Sequence, residues 1–504
     1  MENKVSAGSI TVLAANTIAF CACFACWMMY GVLITFLVDN GIFHWDKAQM
    51  GWLIGIPVLT GSIIRLPIGV LTDQYGGRRV FTILMMLAAA AVYCVSFCNS
   101  YIEFLIAGLC FGISGASFAV GIAYTSVWFP RERQGTALGI FGAGNAGAAV
   151  TSLLAPHLLI ALTDHMKNLD SWRMMPRIYS GVLLGIAILF FLVTKEKRAE
   201  HTEGLTMAQR LAPLKQLQVW RFGLYYFFVF GGFVALAQWL VPYYLNVYHM
   251  SLATAGLMAS LFSLPSGVIR ALGGWMSDLW GARFVMYFVL VSCLVACCLL
   301  SVPRMDIQSP GQGVMALAKG TVTSVDSSQI KVGEQTYKLR SVIRGNLLTI
   351  ADDNNELIVW PTFASWQEPL VKVGDTVEKK QIIARGVTHI FFQANVWIFS
   401  ALVLVIGIMT GIGKAAVYKH IPDYFPESVG VVGGIVGVLG GLGGFVGPIV
   451  FGELLKWTGI WTTCWISLTA LVAVCLAWMH WTVTHMMNEK QPRLAKQFER
   501  LHSS

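Results

Sequence analysis

The sequence predicts an all-α polytopic membrane protein: twelve transmembrane helices in two six-helix halves, with a small β-rich domain inserted between helices 9 and 10. Three observations carry this expectation. The 504 residues are 56% hydrophobic and only 12% charged, with a mean hydropathy of +0.65, about half the charge density of a soluble domain. Apolar stretches of about 20 residues, the length a bilayer demands, recur twelve times along the chain. The second half also repeats landmark residues of the first.

The spans are expected at roughly 10–38, 51–72, 80–98, 102–127, 135–160, 178–194, 222–245, 253–276, 284–302, 390–417, 429–453 and 460–484. The first is too long for the apolar core of a signal peptide and is followed by many others, so no cleavable signal is expected. A polar, basic connector at 195–221 divides the spans six and six. The expected domains are therefore an N-terminal half (1–194), a cytoplasmic linker (195–221), spans 7–9 (222–302), an insertion (303–389), and spans 10–12 with a tail (390–504). With both termini inside, the inner loops collect about 17 Lys and Arg and the short outer loops about 5, which fits the bias of positive charge to the cytoplasmic side. Three of those outer charges, Lys167, Arg173 and Arg177, share one loop. The eleven cysteines, such as Cys21, Cys23, Cys26, Cys297 and Cys298, lie mostly in apolar runs without ligand or disulfide spacing, and read as small packing residues.

The repeat is specific. Ala48–Arg65 (AQMGWLIGIPVLTGSIIR) aligns without gaps on Ala253–Arg270 (ATAGLMASLFSLPSGVIR), an offset of 205 residues that also matches Gly69 with Gly274, Asp73 with Asp278, Gly76 with Gly281 and Arg78 with Arg283. Gly135, Gly139 and Gly142 match Gly430, Gly434 and Gly437 at an offset of 295. The second half has thus gained about 90 residues between its second and fifth spans. They fall at 303–389, on the outer face. The gained segment is polar and strand-patterned, as in GTVTSVDSSQIKV, with turn residues at Gly333, Asn346 and Asp352-Asp353. Its run VKVGDTVEKKQIIA, Val371–Ala384, resembles the hairpin of biotinyl and lipoyl barrel-sandwich domains. Lys380 stands where those have glycine, and no lysine has the context of a modified tip. A folded cap, or a module docking a periplasmic partner, is expected.

Four features point to mechanism. The first is G-x-L-x-D-x-x-G-x-R-R at Gly69, Leu71, Asp73, Gly76, Arg78 and Arg79, with a degenerate copy at Gly274, Asp278, Gly281 and Arg283. Glycine lets helices touch. Asp73, Arg78, Arg79, Asp278 and Arg283 at cytoplasmic helix ends can pair across the seam between halves as a latch. This pattern resembles the major facilitator superfamily over the whole chain outside the insertion, and implies that fold.

The second is the matched pair Arg65 and Arg270, each deep in its span. A charge near the bilayer centre costs about 2.5–3.5 kcal/mol on insertion scales, and no acid lies at that depth to pair with either. Two guanidiniums without carboxylates make an anion site, and their planar fork matches two oxygens of a planar oxyanion. The third is glycine density: Gly142, Gly144 and Gly147 in span 5, and Gly437, Gly440, Gly441, Gly443 and Gly444 in span 11. Each costs about 1 kcal/mol in a helix relative to alanine, which close packing and sliding during a rocking motion would repay. Asn145 is a polar amide within the first run.

Arg65 in GSIIRLP, Gly144-Asn145-Ala146-Gly147, Arg270 in GVIRALGG and the Gly440–Pro448 run resemble the nitrate/nitrite porter family. The resemblance implies that Arg65 and Arg270 clamp the anion, that Asn145 hydrogen-bonds it, and that Phe24, Phe118, Tyr226 and Phe230 sandwich its plane. The fourth feature is GIGKAAVYKHIP in span 10, where Lys414 stands in place of the small residue that exchanging members carry. That is similar to the proton-coupled branch, and makes Lys414, Tyr418 and Lys419 candidates for coupling.

The function expected is nitrate and nitrite transport across a bacterial inner membrane by alternating access, with protons as the coupling ion. Nitrate/nitrite antiport is the alternative. An organic-anion or phosphate carrier and a membrane receptor sensing through the insertion are further alternatives. No nucleophile–base constellation or metal-ligand spacing appears, so neither an enzyme nor a cofactor nor a metal is expected. The expected partners are nitrate, nitrite, protons and the lipid bilayer, with no nucleic acid and no second copy of the chain.

Overall fold

The computed structural model describes residues 7–129, 131–165, 167–197, 212–340, 362–425 and 429–490. Among them eleven helices are long and apolar enough to cross a membrane: Gly8–Asp39, Lys47–Thr72, Gly77–Val95, Tyr101–Trp128, Thr136–Leu162, Leu169–Val193, Leu217–Val247, Ala282–Leu300, Val396–Ile421, Val432–Thr458 and Thr463–His485. A twelfth is a bent pair, Leu252–Val268 and Arg270–Trp280, with 45° between its parts. In chain order these are spans 1–12, the bent pair being span 8. The chain is a multi-pass membrane protein whose lipid-facing residues, such as Leu192 and Phe284, are apolar and exposed.

Two compact units are present, Met1–Ser301 with Leu402–Ser504, and Val302–Ala401. The first is the helical body. Among the described residues its two halves meet where span 1 lies against span 7 at Gly31 and Gln238, and along two longer seams. Span 2 packs on span 11, and span 5 on span 8. Glycine makes both possible. A Cβ on Gly51 would lie 2.4 Å from the Pro448 carbonyl oxygen, and one on Gly256 would lie 2.2 Å from that of Ser152. Both contacts sit toward the end where span 2 begins. There Asp46 caps the helix, accepting from the Gln49 amide at 2.8 Å, and pairs across the seam with Lys456 at 2.9 Å. Burial alone would raise the Asp46 carboxyl, but the Gln49 amide and the Lys456 ammonium outweigh it and hold the group below its ordinary value. Toward the opposite end the fit is looser. A Cβ built on Gly69 or Gly274 would meet nothing within 4 Å, and one on Gly139 would only touch Ala271, at 4.0 Å.

The second unit holds two antiparallel sheets. One orders as β1 (Met305–Met315), β7 (Ile382–Phe392), β5 (Thr362–Pro369). The other orders as β4 (Gln335–Lys338), β3 (Gln329–Val332), β2 (Gly320–Val325), β6 (Thr376–Val377). Val322, Ile330, Val332, Val377 and Ile383 form its core, with Tyr337 donating to Gln335 at 2.8 Å. Lys380 adopts φ +70°, the left-handed backbone for which glycine is suited. The sequence reading began span 10 at 390. Instead β7 runs to Phe392 and the helix starts at Val396. The apolar Ile390, Phe391 and Phe392 belong to a strand paired with Met305–Ile307.

Candidate anion site

Arg65 and Arg270 occupy equivalent places in the backbone. Each is the first residue after a break in its helix, at Ile64 in span 2 and Ile269 in span 8. A break close to a proline, Pro67 or Pro265, is locally expected. It frees backbone from the regular ladder and puts each arginine at the positive N-terminal end of a fresh helical segment.

Arg65 is 4% exposed. Its Nη1 donates to the Gly437 carbonyl of span 11 at 2.8 Å, across the seam, and its Nε to the Gly115 carbonyl at 3.3 Å. Its Nη2 is buried without a partner. The guanidinium lies over Phe230, Trp27 and Phe118 at 5.2, 5.5 and 5.6 Å. Arg270 lies over Tyr418 and the same Phe118 at 5.4 and 5.5 Å, and its Nη1 is likewise buried and unpaired. Phe118 is thus shared by both cations. No carboxylate among the described side chains pairs with either.

Tyr226 and Phe230 stack at 5.1 Å with 3° between their planes, and Tyr418 meets Tyr226 edge-on at 5.0 Å. Their setting is a π-helical turn at Phe227–Gly232 within span 7, a local departure from the α ladder that occurs mostly at functional positions. Gly440 admits the Tyr226 ring, since a Cβ there would lie 2.2 Å from its edge. Asn145 lies in a short 3-10 stretch, Ala143–Ala146. It is fully buried, and neither its amide nitrogen nor its oxygen has a partner. The backbone beside it packs on Gly267 of span 8, next to the arginine break. The Tyr226 hydroxyl is also buried without a hydrogen bond. A buried polar group left unpaired costs about 1–3 kcal/mol, so this concentration of them marks a place built for a polar guest.

The structure therefore gathers Arg65, Arg270, Phe118, Tyr226 and Phe230 at one place. Phe24 is set differently. It meets Phe20 and Trp27 edge-on, one ring removed from the cations. Trp27 and Tyr418 take the flanking positions instead. Gly142 leaves room for the Arg270 stem, which a Cβ there would meet at 3.2 Å, and Gly441 faces Ser62 and Arg65. Gly144 and Gly147 admit span 1, while Gly443 and Gly444 admit span 7. Gly437 acts through its carbonyl, which no sequence motif would reveal.

Lys414 does not reach an interface. It is wholly buried, held by the Ser266 hydroxyl at 3.0 Å and carbonyl at 3.3 Å, with the Phe233 ring 3.3 Å away. Lys419 lies apart, paired with Asp278 at 2.5 Å.

The latch pairing differs from expectation. Arg78 donates to the Phe191 carbonyl at 2.6 and 3.0 Å, and the amides of Arg78 and Arg79 meet Glu196. Arg283 donates to Tyr424 at 3.3 Å. All these contacts, with Asp278–Lys419, stay within one half. Glu196 directly follows span 6 and reaches the N-terminus of span 3 first, where it serves as an anion at a helix start. The side chain of Asp73 lies outside the described residues.

Comparison with known proteins now bears on the site. The family description "Major Facilitator Superfamily" matches residues 17–324 and 382–502. The chain is 34% identical over 495 residues to a Thermus thermophilus protein described as "Probable nitrate/nitrite antiporter NarK1", covering 97% of this chain and 95% of that one. The chain belongs to the nitrate/nitrite porter family of the major facilitator superfamily. A Bacillus subtilis "Nitrite extrusion protein" is 24% identical over 472 residues, covering 93% and 94%. In fold, this porter is similar to a bacterial homologue of the lysosomal transporter Spinster in an inward-facing and occupied conformation, with TM-score 0.60, 14% identity and coverage of 95% and 97%. The segment 325–381, which the superfamily description leaves unmatched, lies within the β-rich unit.

Proposed function

We propose that this porter carries nitrate, and nitrite with it, across a bacterial inner membrane by alternating access, with protons as the coupling ion. The observation that carries the reading is the pair of buried guanidiniums, each with an unpaired Nη donor and no acid, beside the unpaired Asn145 amide and Tyr226 hydroxyl. These donors suit the in-plane oxygens of a small flat anion. The rings of Phe118, Phe230 and Tyr418 suit its faces and exclude a bulky one. The names of the relatives, nitrate/nitrite antiporter and nitrite extrusion protein, agree with that substrate.

Seams packed tightly at the Asp46–Lys456 end and more loosely toward the Asp278 end support an arrangement closed at one face and looser at the other. With the basic 195–221 connector inside, the Asp46 end is the periplasmic one, and the β-rich unit is an inserted periplasmic domain. Arg65 bridges the seam to Gly437. A ligand that draws Arg65 onto itself would release that bridge, which links binding to rocking of the halves.

Entry of a −1 anion into a negative-inside cell is opposed by about 2.3 kcal/mol per 100 mV, so uptake needs coupling, which co-transport with protons or exchange for nitrite would supply. Lys414 favours protons. It is a wholly buried titratable amine beside the site, held among the described residues by the Ser266 hydroxyl and carbonyl, and so a candidate carrier of the coupled proton. Exchange is the second reading, favoured by the description of the Thermus relative. Nitrate uptake into proteoliposomes tests both. Uptake driven by an imposed pH gradient with no internal nitrite supports symport. Uptake that requires internal nitrite overturns it.

A further inference from the structure

Where spans 7 and 9 begin and spans 10 and 12 finish, a small cleft opens between these four helices, lined by Arg221, Tyr225, Arg283, His420 and Tyr424. The transport site uses none of them. Arg221 is 8% exposed, and its guanidinium lies beside the rings of Phe222 and Tyr424, at 5.2 and 5.8 Å. Arg283 spends one donor on the Tyr424 hydroxyl. Tyr225 is 2% exposed and its hydroxyl has no hydrogen-bond partner. His420 stacks flat on Phe222 at 5.6 Å. Among the described side chains no carboxylate pairs with either arginine, and Asp278, five residues before Arg283, is engaged by Lys419. Among the described side chains the cleft therefore converges donors and no anion, which a buried guanidinium does not tolerate without cost.

The surroundings say which anion. Trp220, Trp280, Phe284 and Trp481 flank the lining residues in sequence and are 47%, 52%, 59% and 59% exposed. Exposed tryptophans of this kind sit at the membrane–water interface. The guanidiniums are thus at headgroup depth, with aromatic surface beside them on which acyl chains can lie. We propose that this cleft binds the phosphate of an anionic phospholipid. A phosphodiester offers only acceptors, as the cleft requires, and basic pockets between helices at a membrane face commonly take such headgroups.

The test uses the purified full-length protein in detergent, titrated with phosphatidylglycerol, phosphatidylcholine or inorganic phosphate, with thermal unfolding and native mass spectrometry as readouts. Phosphatidylglycerol should bind and stabilise well beyond the other two. In Arg221→Gln/Arg283→Gln its affinity should fall roughly thirty-fold, taking the worth of a basic residue near an anionic surface for each arginine, while weak phosphatidylcholine binding stays unchanged. Tyr225→Phe, which removes one hydroxyl only, should weaken phosphatidylglycerol a few-fold and decides the matter if the double variant does not fold. Equal stabilisation by phosphatidylcholine overturns the proposal. So does inorganic phosphate matching the lipid, which would make this a free-anion site. Undiminished phosphatidylglycerol affinity in a folded double variant, or in Tyr225→Phe when the double variant does not fold, overturns it too.

Discussion

Asn145→Ala separates function from stability. The amide is fully buried, and both of its polar atoms lack partners. An unsatisfied buried group costs about 1–3 kcal/mol, so removing it relieves that much. Against this stands the space left by three heavy atoms, about 1 kcal/mol for a site that relaxes partly. The net expectation for the nitrate-free protein is a change between zero and about 2 kcal/mol in the stabilising direction. Nitrate should act oppositely. At a hundredfold excess over Kd a ligand stabilises the folded state by about 2.7 kcal/mol, and the variant should lose most of that increment along with uptake. Thermal unfolding of detergent-purified protein, with and without nitrate, measures both. Destabilisation by more than about 1 kcal/mol without nitrate would show the amide to be satisfied. An intact nitrate shift would show that the anion does not use it.

Further outcomes follow from the same geometry. Arg65→Lys and Arg270→Lys should each abolish nitrate uptake in folded protein, because an ammonium keeps the charge but cannot present two parallel donors; normal uptake by either refutes the clamp. Gly51→Ala should wedge spans 2 and 11 apart, since its Cβ would meet the Pro448 carbonyl oxygen at 2.4 Å; a single cysteine introduced by His249→Cys, in the cleft of about 490 Å³ at that end, should then label faster. Asp46→Asn should increase the same labelling slightly, because the pair with Lys456 is about half exposed. The Asp46 carboxyl is held low, so its contribution is present above the unfolded value near 3.9 and is lost as pH falls through the lower folded value; labelling of His249→Cys with Asp46 intact should rise only in that acid range. Lys380→Gly should stabilise the β-rich unit by about 1 kcal/mol by relieving the left-handed backbone; unchanged or lower melting of that unit counts against it.

Much of this porter was legible in its residues. Twelve apolar runs gave the spans, and the offset of 205 placed Arg65 and Arg270 at equivalent depth, where the chain has two equivalent helix breaks. What stayed hidden has physical reasons. Trp27 joins the site through contacts between spans, with its indole nitrogen donating to the Pro57 carbonyl, and no local pattern encodes that. The π-helical turn in span 7 is a hydrogen-bonding choice that Phe227–Gly232 makes in context. The Gly437 carbonyl that holds Arg65 is backbone, which composition cannot mark. Ile390–Phe392 misled because a buried strand and a span end are equally apolar.

The seam beside Asp46 is made chiefly of peptide carbonyls facing glycines that have no side chain to interpose. Such a contact contains nothing to titrate, nothing for salt to screen and nothing for an enzyme to modify. Its attraction is dispersion, a quarter to a half of which is gone once surfaces part by about 0.5–1 Å. It weakens steeply over a very small displacement. Asp46–Lys456 is the ionic handle by which the medium can influence it.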